Sequence, residues 1–187
     1  MSGDVTEPET SDRIVTQALE RFERVDTLVN NAGVFMSKPF TDYTAHDYAQ
    51  AVGLNLTAFF HLTQRVITSM LPERTGHIVT ITTTLAERAD SRVPAALTAL
   101  TKGGLVAATR SLAIEYAPCG IRVNAVSPGV IRTATDDPTA YDDLGRMHPV
   151  GRVGSIGDVV DAVLYLETAS FVTGEVLHVD GGQIAGS

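Results

Sequence analysis

Short apolar, β-branched runs at residues 27–30, 77–82, 121–126 and 175–180 are each bounded by Gly, Asn, Asp or Pro and read as strands. Between them lie longer segments with helical spacing. Residues 9–23 carry Ile14, Ala18, Leu19 and Phe22 on one face, and a second segment runs over about 45–71 and stops at Pro72. The third, about 94–117, is rich in Ala, Thr and Gly, which suits close packing. The fourth, about 157–168, opens beside Asp158 and carries Val159, Val163, Leu164 and Leu166. Helix and strand alternate four times, which predicts an α/β domain with a parallel sheet of about four strands and helices on both faces. Residues 129–157 hold Pro, Gly, Asp, Tyr and His with weak periodicity, and so long a connection in a compact domain predicts a binding loop or lid.

The 187 residues suit one domain, 1–187, able to bury about 70% of its unfolded surface. A hydrophobic fraction of 44% against 19% charged residues excludes an intrinsically disordered chain. The net charge is −8 with the arginines scattered among acids, which argues against nucleic acid or an anionic membrane as a partner. A single cysteine, Cys119, leaves no internal disulfide and no cysteine-based zinc site. His46, His61 and His77 are dispersed without ligand spacing, so no metal site is expected. Nothing approaches a membrane span or a secretory leader, which makes the cytoplasm the default location.

The stretch "AALTALTKGG", residues 95–104, places Lys102 among small and apolar residues, four positions after Thr98. Residues four apart share a helix face, and a lysine in apolar surroundings needs a partner or a function. "DTLVNNAGVF" (26–35), "GLNLTAFF" (53–60), "GHIVTITTT" (76–84), "IRVNAVSPGVIRT" (121–133) and "FVTGEVLHVDGG" (171–182) occur in order along nearly the whole chain. Together these motifs resemble the short-chain dehydrogenase/reductase family, near its 3-oxoacyl-carrier-protein reductases and its sugar or polyol dehydrogenases.

That family works through an Asn, Ser, Tyr, Lys tetrad and NAD(P), the lysine lowering the tyrosine's pKa so that the phenol transfers a proton. The resemblance implies Asn55 and Lys102 in the asparagine and lysine places and Thr83, or failing it Thr84, in the serine's; Thr98 stands where the tyrosine belongs. An aliphatic hydroxyl is a far weaker acid than a phenol and reaches less far. His148 and Tyr141, with Asp142 and Asp143, stand in the loop that covers substrate in the family and are candidates for the lost proton donor. Asp4, Asn31, Ala32, Gly33, Pro128, Gly129 and Thr133, with Lys102, stand at positions where the family holds its cofactor.

The family's first strand, glycine-rich turn and phosphate-holding helix have no counterpart in these residues, and "SGDVTEP" resembles the end of its third strand. The resemblance therefore implies a three-layer, truncated Rossmann-like fold lacking its first dinucleotide-binding half. Gly151–Gly157 is glycine-rich but precedes the last helix and reads as a turn. Such a chain is expected to bind no cofactor alone, and NAD(P) only if the missing half is supplied. The leading expectation is an enzyme of this lineage acting on a small oxygenated molecule by dehydration, isomerisation or cyclisation. The alternatives are a carbonyl reductase completed by an N-terminal half or a partner chain, and a non-catalytic binding or scaffold subunit. The resemblance also implies a homodimer through the second and third helical segments, and a sheet edge at 27–30 shielded by the N-terminal segment, a second copy or a partner chain.

Overall fold

The structure is a computed structural model and describes residues 3–133 and 141–186, with Tyr141 and Asp142 described by their backbone alone. The elements run α1 (Pro8–Phe22), β1 (Thr27–Asn30), α2 (Ala45–Val52), α3 (Ala58–Met70), β2 (Gly76–Ile81), α4 (Ala96–Tyr116), β3 (Ile121–Pro128), α5 (Tyr141–Gly145), α6 (Ile156–Thr168) and β4 (Val176–Val179). The four strands form one parallel sheet in the order β1-β2-β3-β4. Three layers result, as the alternation predicts. The short helix α5 falls inside the segment 129–157 that was expected to be loop.

Local chemistry sets the ends. Thr44 and Asp47 form a reciprocal cap at the start of α2, the Asp47 N–H reaching Thr44 Oγ1 at 3.1 Å and the Thr44 N–H reaching Asp47 Oδ2 at 2.7 Å. Ser155 and Asp158 repeat the device at α6, with distances of 3.3 and 2.7 Å. Each satisfies amides that the first helical turn leaves without partners. After α4 the chain reverses through Pro118 and Gly120, where φ is +78° and a Cβ would collide with the Arg74 carbonyl.

Between α2 and α3 the helical path is continuous, but Gly53–Thr57 is wound as a π-helix. The extra residue turns Asn55 inward, where it is buried. Hydrophobic periodicity alone shows one uninterrupted helix here, because a single wide turn shifts phase without breaking the apolar stripe.

Alternation along the strands divides the core. Ile78, Ile121 and Val123 face Val15, Val66, Ile67, Met70 and Ala113 from α1, α3 and α4. Val79 and Val126 face Ala162 and Leu166 of α6 on the opposite side. One face therefore carries three helices and the other carries one. β1 pairs with β2 alone and stands at an edge of this sheet, with Val29 42% exposed.

At the end of the sheet where the strands begin, a polar network ties the layers. Thr27 Oγ1 donates to Glu167 Oε1 at 2.8 Å, and His77 Nδ1 lies 2.7 Å from Glu167 Oε2. Asn124 Oδ1 accepts the Glu175 N–H at 3.0 Å, which fixes its amide so that Nδ2 donates to His77 Nε2, also at 3.0 Å. His77 thus carries its proton on Nδ1 and is neutral. Burial is the main reason its pKa lies below the ordinary 6.5, the Glu167 hydrogen bond opposing and the Arg122 cation assisting. Asn124 is structural, its amide bridging His77 and the Glu175 N–H, and the acidic partner of His77 lies ninety residues away in the chain.

Candidate active site

The opposite end of the sheet, where the strands finish, opens into a cleft of about 540 Å³. Its floor is Ile81, Thr82, Thr83 and Thr84 at the end of β2, together with Lys102 of α4. Phe35, Leu85, Val93, Ile131, Leu144 and Met147 form apolar walls, and Pro128, Gly129, Thr133 and Gln183 complete the lining. Loops beyond the carboxyl ends of parallel strands are where α/β folds gather ligand-binding groups.

Lys102 projects from the second turn of α4 to the end of β2. Its ammonium donates to the Thr82 carbonyl at 3.2 Å and to the Ile81 carbonyl at 3.4 Å. Burial pushes its pKa below the ordinary lysine value. On its other side is a smaller cavity of about 50 Å³, lined by Asn31, Ala32, Asn55 and Thr80 among others. Thr80 Oγ1 is buried there without a hydrogen-bond partner among the described residues.

Asn55 is held by the π-helical turn and braces the loop after β1. Its Oδ1 accepts the Val34 N–H at 2.8 Å, while Nδ2 donates to the Val34 carbonyl at 3.1 Å and to Thr101 Oγ1 at 3.0 Å. Gly33 lets this loop come close, since a Cβ there would stand 2.9 Å from Asn55 Oδ1. Thr83 accepts a long bond, 3.4 Å, from the Leu85 N–H and lies on the cleft floor. Thr84 is committed to Gln183 Oε1 at 2.9 Å. Of the two threonines weighed for the serine's place, Thr83 is the one whose hydroxyl proton no described acceptor takes.

Thr98 departs from the expectation. Its side chain is 1% exposed and is not part of the cleft wall. Its Oγ1 accepts the Met36 N–H and donates to the Met36 carbonyl, both at 3.0 Å. The hydroxyl behaves as a staple between α4 and the loop after β1, and a side chain this short cannot also reach the floor of the cleft.

His148 also sits elsewhere than a proton donor would. It is buried, its Nε2 accepts the Val130 N–H at 3.0 Å, and its Nδ1 donates to the Leu144 carbonyl at 3.1 Å. Both ring nitrogens are spent holding α5 against the end of β3. Asp143 faces Arg146 in an exposed pair at 3.5 Å. The side chains of Tyr141 and Asp142 lie outside the described residues. The segment 129–157 does wall the cleft, through Val130, Ile131, Thr133, Leu144 and Met147 rather than through His148 or Asp143.

Of the cofactor positions, Asn31 and Ala32 line the small cavity and Pro128, Gly129 and Thr133 line the cleft, with Lys102 on both. Asp4 is apart from both, its Oδ1 accepting the Thr6 N–H at 2.9 Å in a turn before α1. Beyond the cleft rim, the Arg88 guanidinium donates to the carbonyls of Gln183 and Gly186 and fixes the last described turn. Among the described residues no group of three or more His, Cys, Asp or Glu could hold a metal ion, and no helix is long and apolar enough to cross a membrane.

A family model described as enoyl-(acyl carrier protein) reductase matches residues 1–183. The chain is 37% identical over 184 residues to the 3-oxoacyl-[acyl-carrier-protein] reductase FabG of Aquifex aeolicus, covering 92% of this chain and 72% of that protein. Among solved structures, ElxO with NADP bound superposes with a TM-score of 0.93 at 29% identity, over 100% of this chain and 78% of that one. A gluconate 5-dehydrogenase from Burkholderia cenocepacia, in complex with NADP and tartrate, gives a TM-score of 0.90 at 29% identity, over 99% and 74%.

Proposed function

Because the chain belongs to the short-chain dehydrogenase/reductase family, we propose that it is an enzyme of that oxidoreductase lineage whose cleft takes a small carbonyl or hydroxyl compound and transforms it without hydride transfer. The observation that carries this reading is Thr98. Where the family's phenol would protonate an alkoxide, this chain has a buried hydroxyl bonded twice to the Met36 backbone. Among the described residues no phenol lines the cleft for Lys102 to acidify, and Lys102 is the one cationic group on its floor, beside the Thr83 hydroxyl. Dehydration, isomerisation or cyclisation of an oxygenated compound needs only proton movement and charge stabilisation, which a lysine and hydroxyls can provide.

A second reading, NAD(P)-dependent carbonyl reduction, is favoured by the NADP in both solved relatives. The residues here fit one end of such a cofactor. Lys102, Asn31 and the small Pro128–Gly129 step would hold its nicotinamide ribose, and the bound cofactor would supply the hydride. The glycine-rich turn and the helix N-terminus that would take the pyrophosphate at the other end have no counterpart among the described residues.

The same lineage supports a homodimer. Leu100, Gly104, Ala107, Ser111 and Ile114 form one exposed row on α4 at alternating spacings of four and three, and Phe60 of α3 is exposed as well. Small residues between the two large ones allow a second helix to approach closely.

The readings separate in one assay. Given the N-acetylcysteamine thioesters of 3-hydroxybutyrate and acetoacetate with NADPH, the protein is expected to form the enoyl thioester from the first and to leave NADPH unoxidised with the second. NADPH oxidation by the wild-type chain overturns the non-redox reading.

A further inference from the structure

The environment of Lys102 has a feature that neither reading uses: among the described residues its ammonium has no counter-ion. Of the residues lining the cleft and the small cavity on its other side, none is acidic among the described residues, and the only groups that meet Nζ are two backbone carbonyls at 3.2 and 3.4 Å. Carbonyl dipoles accept a proton's hydrogen bond without fixing the charge, whereas a carboxylate would stabilise the ammonium strongly. The apolar walls of the cleft add to the cost of a cation there. An amine in such surroundings loses its proton more readily, and the neutral amine is the nucleophile. The downward displacement of its pKa by burial agrees with this geometry.

We propose that Lys102 condenses with the carbonyl carbon of a small aldehyde or ketone held in the cleft, forming an imine. The inference rests on the reading that the cleft takes carbonyl compounds. The nitrogen lone pair forms a C–N bond as the C=O π pair moves to oxygen. A proton passes from nitrogen to that oxygen to give the carbinolamine. The second N–H proton and the hydroxyl then leave together as water when C=N forms. No electrons are gained or lost, and no co-reactant is needed. Thr83, on the same floor, has the hydroxyl to hydrogen-bond the departing oxygen. Protonation of the imine nitrogen draws electrons from the neighbouring carbons and so labilises an α-proton. That is the requirement for dehydrating or isomerising a β-hydroxy carbonyl compound.

The composition makes this directly testable, because the chain has only two lysines, Lys38 and Lys102. Lys38 is an internal reference, its ammonium paired with Asp47 Oδ2 at 2.7 Å. The full chain is treated with butanal and sodium cyanoborohydride at neutral pH, and butyl groups are located by peptide mass spectrometry. Lys102 is expected to be labelled several-fold faster than Lys38, with the label kept in Lys38→Arg and lost from the cleft peptide in Lys102→Arg. Labelling of Lys102 no faster than Lys38 in the wild-type chain overturns the proposal, and needs no variant to fold. Saturation-transfer NMR with butanal, without reductant, separates the failures. Transfer without a Lys102 adduct sinks the imine and leaves the carbonyl-binding cleft standing, whereas neither transfer nor adduct sinks both.

Discussion

Replacing Thr98 by valine tests the reassignment of that residue from chemistry to structure. Valine keeps the shape and removes the oxygen, so the Met36 N–H loses the partner that now stands at 3.0 Å, while the Met36 carbonyl keeps the Tyr43 hydroxyl, also at 3.0 Å. A hydrogen bond contributes about 1 kcal/mol net, and an orphaned buried group costs about 1–3 kcal/mol. Met36 is half-buried, so water offsets part of the loss. The expected destabilisation is about 2 kcal/mol, which for a chain of this length lowers Tm by about 4–8 °C. Serine keeps the oxygen and deletes one buried methyl, at a cost of about 1 kcal/mol. Urea unfolding monitored by circular dichroism should therefore rank wild type above Thr98→Ser, and Thr98→Ser above Thr98→Val, with similar slopes. Since Thr98 is off the cleft wall, butanal labelling of Lys102 should be unchanged in folded Thr98→Val. A valine variant as stable as wild type, or a serine variant less stable than the valine one, would refute the staple.

Two further outcomes concern other parts of the molecule. His77 has a pKa below 6.5 in the fold, so the unfolded chain binds its proton more readily; the stability it contributes is whole above about pH 6.5 and is lost as pH falls below it. His77→Gln, which does not titrate, should give a shallower acid slope in urea unfolding, and an unchanged slope would show that the buried imidazole is not the source. Phe60→Asp with Leu100→Asp should convert a dimer into a monomer in sedimentation at tens of micromolar, and a wild-type chain that is already monomeric would rule out the α3–α4 interface.

The strands and the layer order were legible because they depend on local alternation. The sequence runs 27–30, 77–82, 121–126 and 175–180 lie within two residues of the observed strand ends, and each lies where β-branched residues crowd between turn formers. Lys102 stood out as a lysine among small and apolar residues, whereas Asn55 was named by the family resemblance alone, since the π-helical turn that buries it leaves no mark in the periodicity. Other features depend on partners far apart in the chain. Glu167 reaches His77 across ninety residues, and Gln183 reaches Thr84 across ninety-nine. The apolar wall of the cleft is drawn from three separate loops and the α5 region, each with one or two unremarkable hydrophobic residues. Thr98 was placed correctly on its helix, but which way its hydroxyl is spent depends on the loop carrying Met36. His148 carried a signal in its neighbours, glycine-rich turns that it packs against, yet no periodicity marks a histidine as a brace.

The grip of Arg88 on Gln183 and Gly186 has a practical consequence. The same arginine follows the 3-10 turn Thr84–Ala86 that leaves the cleft floor, so whatever is joined after Gly186 pulls on the loop that shapes the pocket. A purification handle, a fluorophore or a surface tether attached at that end would report on, and disturb, ligand entry. Attachment through the exposed Phe171 turn, at the far end of the sheet, would leave the pocket alone.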